Sequence, residues 1–167
     1  MKKIFKTMFV LMCGCVMATA LVACGSDSDD GGNNKEFTIN GEWMTQYYNN
    51  TQLICEFYNL NGSSAKCEAY VISASNTLNP ILNGTNLNTQ NVSNIQKVVY
   101  NGSFTYDNLE LICTFADKKV EGFVTVHDYD EFVWSIGLIN FPMIRANSKT
   151  NALKSQLEQE YQAKYAK

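Results

Sequence analysis

From residue 37 to residue 141, runs rich in Tyr, Phe, Val, Ile and Thr alternate with Asn, Gly and Asp turns, and within each run apolar and polar positions tend to change over residue by residue. This is the period of half-buried antiparallel strands. It predicts strands at residues 37–48, 52–59, 63–74, 96–106, 109–117, 120–128 and 131–141. A hairpin turning on Asn101-Gly102 would divide the fourth and make eight. After that the period changes. Leu153, Leu157, Tyr161 and Tyr165 recur four apart, the stripe of an amphipathic helix over about 148–166 that packs on the outside of the sheet, with Thr150 or Asn151 as its cap. The expected class is all-β, an antiparallel up-and-down β-barrel or strongly coiled sheet with a C-terminal α-helix.

Two hairpins carry the most local detail. In LICEFYNLNGSSAKCEAYV, Leu60-Asn61-Gly62 fits a three-residue loop, which makes opposed residue numbers sum to 122. Cys55 then faces Cys67, Phe57 faces Ala65, and Glu56 faces Lys66 on the other side of the sheet. Cysteines so placed either form a disulfide or remain as two inward-facing thiols. The segment LICTFADKKVEGFVTV repeats Leu-Ile-Cys-x-Phe. A turn at Lys118-Lys119 sets Cys113 opposite Val124, Phe115 opposite Gly122 and Glu110 opposite His127, with Cys113 a small hydrophobe of the core. Between the third and fourth strands, the asparagine-rich NTLNPILNGTNLNTQNVSN is long for a connection. It is expected either to lid a barrel mouth or to lie as a surface loop.

The N-terminus follows a different pattern. Lys2, Lys3 and Lys6 precede an apolar run from about Met8 to Ala23, the layout of a secretory signal. Leu21-Val22-Ala23-Cys24 resembles the lipobox of bacterial lipoproteins. The resemblance implies cleavage after Ala23 and acylation of Cys24, palmitate-type chains anchoring the protein to a membrane. More than one chain makes such attachment stable. Ser26-Asp27-Ser28-Asp29-Asp30 resembles the export signal of Bacteroidota cell-surface lipoproteins, with Asp27, Asp29 and Asp30 as its acids. That implies an outer-membrane protein facing the cell exterior, the periplasmic face being the alternative. Residues 24–35 are also a solvated Gly/Ser/Asn tether by composition. The organisation expected is signal peptide 1–23, tether 24–35 and one domain over 36–167.

Charge narrows the partners. Loss of the three signal lysines moves the formal charge from -3 to -6. With Arg145 as its single arginine, the chain lacks the basic footprint that nucleic acid requires.

The densest set of chemical groups is His127-Asp128-Tyr129-Asp130-Glu131. It has neither the spacing nor the glycine of a calcium loop, so it reads as a charged β-turn with His127 beside Glu110. There is no CxxC, no Gly-x-Ser-x-Gly and no phosphate-binding glycine loop. No metal, no cofactor and no catalytic residue is expected, and the chain is read as no enzyme. Trp43, Phe57, Phe104, Phe115 and Trp134 either line an apolar cavity or fill a narrow barrel with side chains.

Gly41-Glu42-Trp43 resembles the Gly-x-Trp motif of lipocalins, Asp128-Tyr129-Asp130-Glu131-Phe132 their Asp-Tyr turn, and Arg145, between the last strand and the helix, the lipocalin arginine. The resemblance extends to the broader calycin-like barrels of small Bacteroidota lipoproteins. It implies a cation-π contact of Arg145 on Trp43 at the closed end of a barrel, worth about 0.5–2 kcal/mol. The function expected is a lipid-anchored, surface-exposed, non-enzymatic lipoprotein holding a small apolar or amphipathic ligand in a calyx. The alternative is an accessory lipoprotein with a filled barrel, touching an envelope protein through Tyr58 and Tyr70.

Overall fold

The computed structural model describes residues 35–75, 81–83, 86–116 and 118–165. Its strands are β1 (Gly41–Asn49), β2 (Gln52–Asn61), β3 (Ser64–Ala74), the two-residue β4 (Leu82–Asn83) and β5 (Asn86–Leu87), β6 (Val92–Asp107), β7 (Glu110–Phe115), β8 (Lys118–Val126), β9 (Glu131–Ile136) and β10 (Ile139–Arg145). One helix, α1 (Ser148–Tyr165), follows. Eight strands close a barrel in the order β1-β10-β9-β8-β7-β6-β3-β2, so each pairs with its sequence neighbour and the β4-β5 hairpin is an excursion. Closure leaves no free sheet edge. Among the described residues no helix is long and apolar enough to cross a membrane.

The eighth strand arises where the sequence pattern showed one. Residues 131–141 and the four after them divide at Gly137-Leu138, a two-residue turn that sets Ile136 opposite Ile139 and Trp134 opposite Phe141. Asn101-Gly102, a turn candidate by composition, lies inside β6. That strand runs for 16 residues, pairs with β3 along its first part and goes on to pair with β7.

Both hairpin registers differ from expectation. Between β2 and β3 the turn is Gly62-Ser63, and Asn61 lies opposite Ser64. Opposed numbers therefore sum to 125, not 122. An odd shift exchanges the faces of one strand relative to the other. Cys55 faces Tyr70, Cys67 faces Tyr58, and Glu56 faces Ala69. The physical reason is that β2 is apolar on both sides, with Leu53 to Phe57 all buried, so alternation could not fix its register. Between β7 and β8, Cys113 lies opposite Val120 and Glu110 opposite Phe123. This shift is even, which preserves the faces but removes His127 from Glu110.

Two cores result. The barrel interior holds Trp43, Tyr47, Ile54, Leu60, Cys67, Phe104, Leu111, Cys113, Phe115, Phe132, Trp134, Phe141 and Met143. On the outer wall, Leu153 and Leu157 of α1 press onto Met44, Leu53, Cys55, Phe57, Tyr70, Ile72 and Ile95. Asn147, not Thr150 or Asn151, caps α1: its Oδ1 accepts from the backbone N–H of Lys149 and Thr150 at 2.9 and 3.1 Å. Thr150 Oγ1 in return accepts the Asn147 N–H at 2.8 Å, a reciprocal cap worth about 1 kcal/mol. Ile81 and Leu82, from the asparagine-rich stretch, are buried in the outer core, and the Leu87 N–H donates to Gln156 Oε1 at 2.9 Å. The described parts of that stretch thus pack beside the helix rather than over a barrel mouth. The described residues of both cores lie between Phe37 and Tyr161.

The cysteine pairing is a correction. Cys55 lies in the outer core and Cys67 in the barrel interior, and Cys55, Cys67 and Cys113 are free thiols. Burial raises the Cys55 and Cys67 thiols well above their usual range and pushes Cys113 up to about 12, so none offers thiolate to an alkylating agent. Mass spectrometry without reductant is expected to find these three unmodified by iodoacetamide in the native domain and all alkylated in denaturant. A peptide cross-linked through Cys55 and Cys67 would contradict the register.

Candidate functional site

The barrel has two unlike ends. At one end lie the Gly62-Ser63 turn, the Asn108-Leu109 turn, residues 127–130 and the start of α1; at the other lie Asn50-Thr51, Ala116 and Gly137-Leu138.

The first end is shut by stacked side chains. Arg145 places its guanidinium between the rings of Trp43 and Tyr129, its carbon 4.1 Å from each centroid. Its nitrogens donate to the carbonyls of Thr38, Asn40 and Tyr129 at 3.0, 3.2 and 3.0 Å, and Asp130 lies 3.5 Å from Nε. Trp43 Nε1 donates to the Ile39 carbonyl at 2.8 Å. Phe132 meets the Trp43 ring edge-on at 4.6 Å between centroids, and Phe37 leans on both. Gly41 makes this possible. Its φ is 140°, and a Cβ there would stand 2.5 Å from Arg145 Nη1. The charged segment after β8 is a turn, as expected: the His127 N–H donates to the Glu131 carbonyl at 3.1 Å, and Asp128 Oδ1 accepts from the Asp130 N–H at 2.7 Å. Among the described residues no three His, Cys, Asp or Glu side chains stand close enough to hold a metal ion.

Within the barrel the apolar filling is interrupted by one buried acid. Glu56, 7% exposed, points inward from β2. Its Oε1 accepts from Tyr47 Oη at 3.1 Å and its Oε2 from Tyr58 Oη at 2.9 Å. Burial pushes its carboxyl above the ordinary carboxylate range, against the opposing pull of the two tyrosine hydrogen bonds. Burial and the adjacent Glu56 in turn raise both tyrosines far above theirs.

Beside this carboxyl lies a cavity lined by Thr45, Glu56, Tyr58, Val120, Trp134, Ile136 and Phe141. Its free volume of about 20 Å³ admits about one water molecule. Thr45 and Trp134 are 3% and 1% exposed, yet among the described residues Thr45 Oγ1 and Trp134 Nε1 are the buried side-chain atoms with no hydrogen-bond partner. An unmet buried donor costs about 1–3 kcal/mol, and such groups are rare enough in folded proteins to call for an explanation. The Trp134 indole reaches its position because β8 carries glycine opposite Leu111. A Cβ at Gly122 would stand 2.8 Å from Trp134 Nε1 and 2.3 Å from the Ser135 carbonyl oxygen. Half-buried Val120 and Ile136 set the cavity toward the second barrel end, beside Ile139 and Tyr100.

The aromatic residues singled out from the sequence divide accordingly. Phe104, Phe115 and Trp134 point into the barrel, but only Trp134 lines the cavity. Trp43 closes the opposite end. Phe57 is a correction: the register places it outside, edge-on to Tyr70 at 5.9 Å and under α1. Tyr58 and Tyr70, expected to face outward, are occupied within the protein. Tyr58 donates to Glu56, and Tyr70 donates to Glu158 Oε2 at 2.6 Å. Cys24, Asp27, Asp29 and Asp30 lie outside the described residues. Glu56, Thr45 and Tyr47 were not found from the sequence. The signal for Glu56 was present, as one acid inside the apolar run LICEF.

A closed eight-stranded antiparallel meander, plugged at one end by an arginine between two aromatic rings and holding one buried carboxyl with two tyrosines inside, defines the class of protein. No protein-family model, no curated protein and no solved structure matches the chain.

Proposed function

We propose that the chain is a lipid-anchored binding protein of the cell envelope that takes a small amphipathic molecule into the Glu56 end of its barrel. One observation carries this reading. Thr45 and Trp134, whose Oγ1 and Nε1 have no hydrogen-bond partner among the described residues, both line one cavity together with the buried carboxyl of Glu56, whereas a barrel that served only as a scaffold gains stability from an apolar filling. The cavity's size limits the occupant to one polar head group, with any apolar part extending past Val120 and Ile136. The Leu21-Val22-Ala23-Cys24 motif supports anchoring by acylated Cys24, and Asp27, Asp29 and Asp30 support presentation on the outer face of the outer membrane. The Arg145 stack on Trp43 fits a calycin-like barrel of the lipocalin type.

The expected result is saturable binding of an apolar fluorescent probe to the protein. Trp134→Ala should weaken it at least tenfold, the scale of a lost anchor side chain, at retained β-sheet circular dichroism. Phe57→Ala, outside the barrel, should leave affinity unchanged. Equal binding by the wild type and Trp134→Ala would sink the reading.

A second reading has its own support. On the wall of β8 to β10, half-buried Val133 and Pro142, paired across β9 and β10, lie between Phe123, 65% exposed, and exposed Ile144. Such an apolar face suits contact with an envelope protein.

A further inference from the structure

Resting on the lipid-anchored part of the reading above, we infer that the exposed apolar wall of β8 to β10 is where the barrel lies on the lipid surface that holds it. Apolar side chains gather there, and the anchored chain enters the fold beside them.

Phe123 of β8, Val133 of β9, and Pro142 and Ile144 of β10 point outward, since their neighbours Val124, Trp134 and Met143 fill the barrel interior. The strand registers make them one surface: Val133 lies opposite both Thr125 and Pro142, Phe123 opposite Ser135, and Ile144 opposite Glu131. Phe123 is 65% exposed and Ile144 42%, and large apolar side chains grouped in this way mark a contact surface. Leu109 carries the surface to the plugged rim. It is 55% exposed, and its carbonyl accepts the Val124 N–H at 2.7 Å. Its φ of 63° is a conformation that glycine or asparagine adopts at less cost. Neither turn chemistry nor core packing calls for a leucine at that place.

The anchored chain arrives at this same rim. Lys35, the first described residue, sets its Nζ 5.1 Å from the ring centroid of Tyr129, in the turn that joins β8 to β9. Phe37 packs on Trp43 and Phe132. The Thr38 and Asn40 carbonyls accept from Arg145, which follows Ile144 in the chain. The entering segment is thus fastened beside the apolar wall and away from the Gly137-Leu138 end. Cys24 lies eleven residues before Lys35, a reach of at most about 40 Å. With Cys24 acylated, contact of the wall with lipid is an intramolecular event at high effective concentration, so a face too small to hold a free protein on a bilayer suffices. Charge selects the kind of contact. Glu110, opposite Phe123, and Asp128, Asp130 and Glu131 outnumber Lys35 and Arg145 at this rim. Anionic head groups therefore repel it, and the contact is apolar, at an uncharged or zwitterionic surface.

Acylated full-length chain in phosphatidylcholine vesicles tests this. Mass spectrometry of the purified chain comes first: a chain without acyl groups on Cys24 overturns the anchoring and this inference together. Thr125→Cys, within the wall, and Leu138→Cys, fully exposed at the far barrel end, then each carry a fluorophore. Cys55, Cys67 and Cys113 are buried and do not compete for it. An apolar face on a lipid surface sits about 5–10 Å into the head-group boundary, so nitroxide-bearing phosphatidylcholine is expected to quench the Thr125 label about threefold more than the Leu138 label. Adding phosphatidylglycerol is expected to lower that difference. Leu109→Asn, which suits the turn, combined with Phe123→Ser is expected to bring the Thr125 label down to the Leu138 level with circular dichroism unchanged. Equal quenching of the two labels in the acylated wild-type background overturns the docking, leaves the anchoring standing and returns the wall to a protein partner. Quenching at Thr125 that survives the double variant, or that rises with phosphatidylglycerol, overturns the apolar contact as well.

Discussion

Arg145→Ala lowers the stability of the domain by about 1–3 kcal/mol, the scale of lost charged hydrogen bonds and cation-π contacts at a half-buried site, and the loss shows as a fall in the urea midpoint at unchanged slope. The magnitude follows from what one side chain does. Its guanidinium lies 4.1 Å from two aromatic centroids and donates to three carbonyls. Charged hydrogen bonds contribute about 1.5–3 kcal/mol each and cation-π contacts about 0.5–2, and the sum is discounted because such terms do not add. Arg145→Lys recovers little, because an ammonium cannot lie flat between two rings and reach three separated carbonyls. Gly41→Ala tests the same plug from the other side, since its Cβ would meet Arg145 Nη1. A double variant of Gly41→Ala with Arg145→Ala falls short of the summed single effects, as the clash vanishes with the arginine. Strict additivity would contradict the stacked geometry.

The second large effect is the pH dependence set by Glu56. Burial raises its folded-state pKa above the ordinary value near 4.5, so between that value and the raised one the native protein holds a proton that the unfolded chain has lost. Stability therefore falls as pH rises through this window and levels off above it. Glu158 acts in the opposite sense. Hydrogen bonds from Lys97, Tyr70 and Gln162 hold it at about 2, so what it contributes is present above about 4.5 and is lost as pH falls toward 2. Urea unfolding from pH 2 to pH 9 is thus expected to give a maximum on the acid side of neutrality. Glu56→Gln, which can still accept from Tyr47 or Tyr58, removes the decline on the alkaline side and gains on the order of 1–3 kcal/mol at pH 8. Glu158→Gln steepens none of that decline and removes part of the acid limb. A Glu56→Gln profile that runs parallel to the wild type across the alkaline limb would contradict burial of this carboxyl in the barrel.

The strand pattern was legible from the sequence because it rests on a short-range signal: alternation marks strands wherever one face meets water. The contact of Arg145 on Trp43 was expected from a resemblance of motifs, not from any local signal, since the two residues are far apart in the chain. The polar interior was not legible, and the reason lies in β2. Leu53, Ile54, Cys55, Glu56 and Phe57 are buried whichever way they point, because α1 covers the outer face and the barrel encloses the inner one. Without a solvent-facing side, alternation carries no register information, and the turn decides. A two-residue turn at Gly62-Ser63 instead of a three-residue loop moved Glu56 inward, moved Phe57 outward and separated Cys55 from Cys67. The β7-β8 register slipped by an even number, so Cys113 and Phe115 kept the faces read for them even though their partners changed.

The cysteines follow from the same geometry. With Cys55 and Cys67 on opposite faces of one sheet, the domain depends on its two cores, its barrel closure and the Arg145 plug rather than on a covalent staple. The buried polar cluster is then the feature that stability alone leaves unexplained, and Trp134 is its reporter. The two indole N–H groups of the chain stand in opposite situations, Trp43 bound to the Ile39 carbonyl and Trp134 without a partner. A ¹H–¹⁵N spectrum of the domain titrated with a small amphipathic ligand reads both at once. A saturable downfield shift of the Trp134 indole signal with the Trp43 signal unmoved is the result that an interior binding site requires; a Trp134 signal that stays fixed across every titration would contradict it.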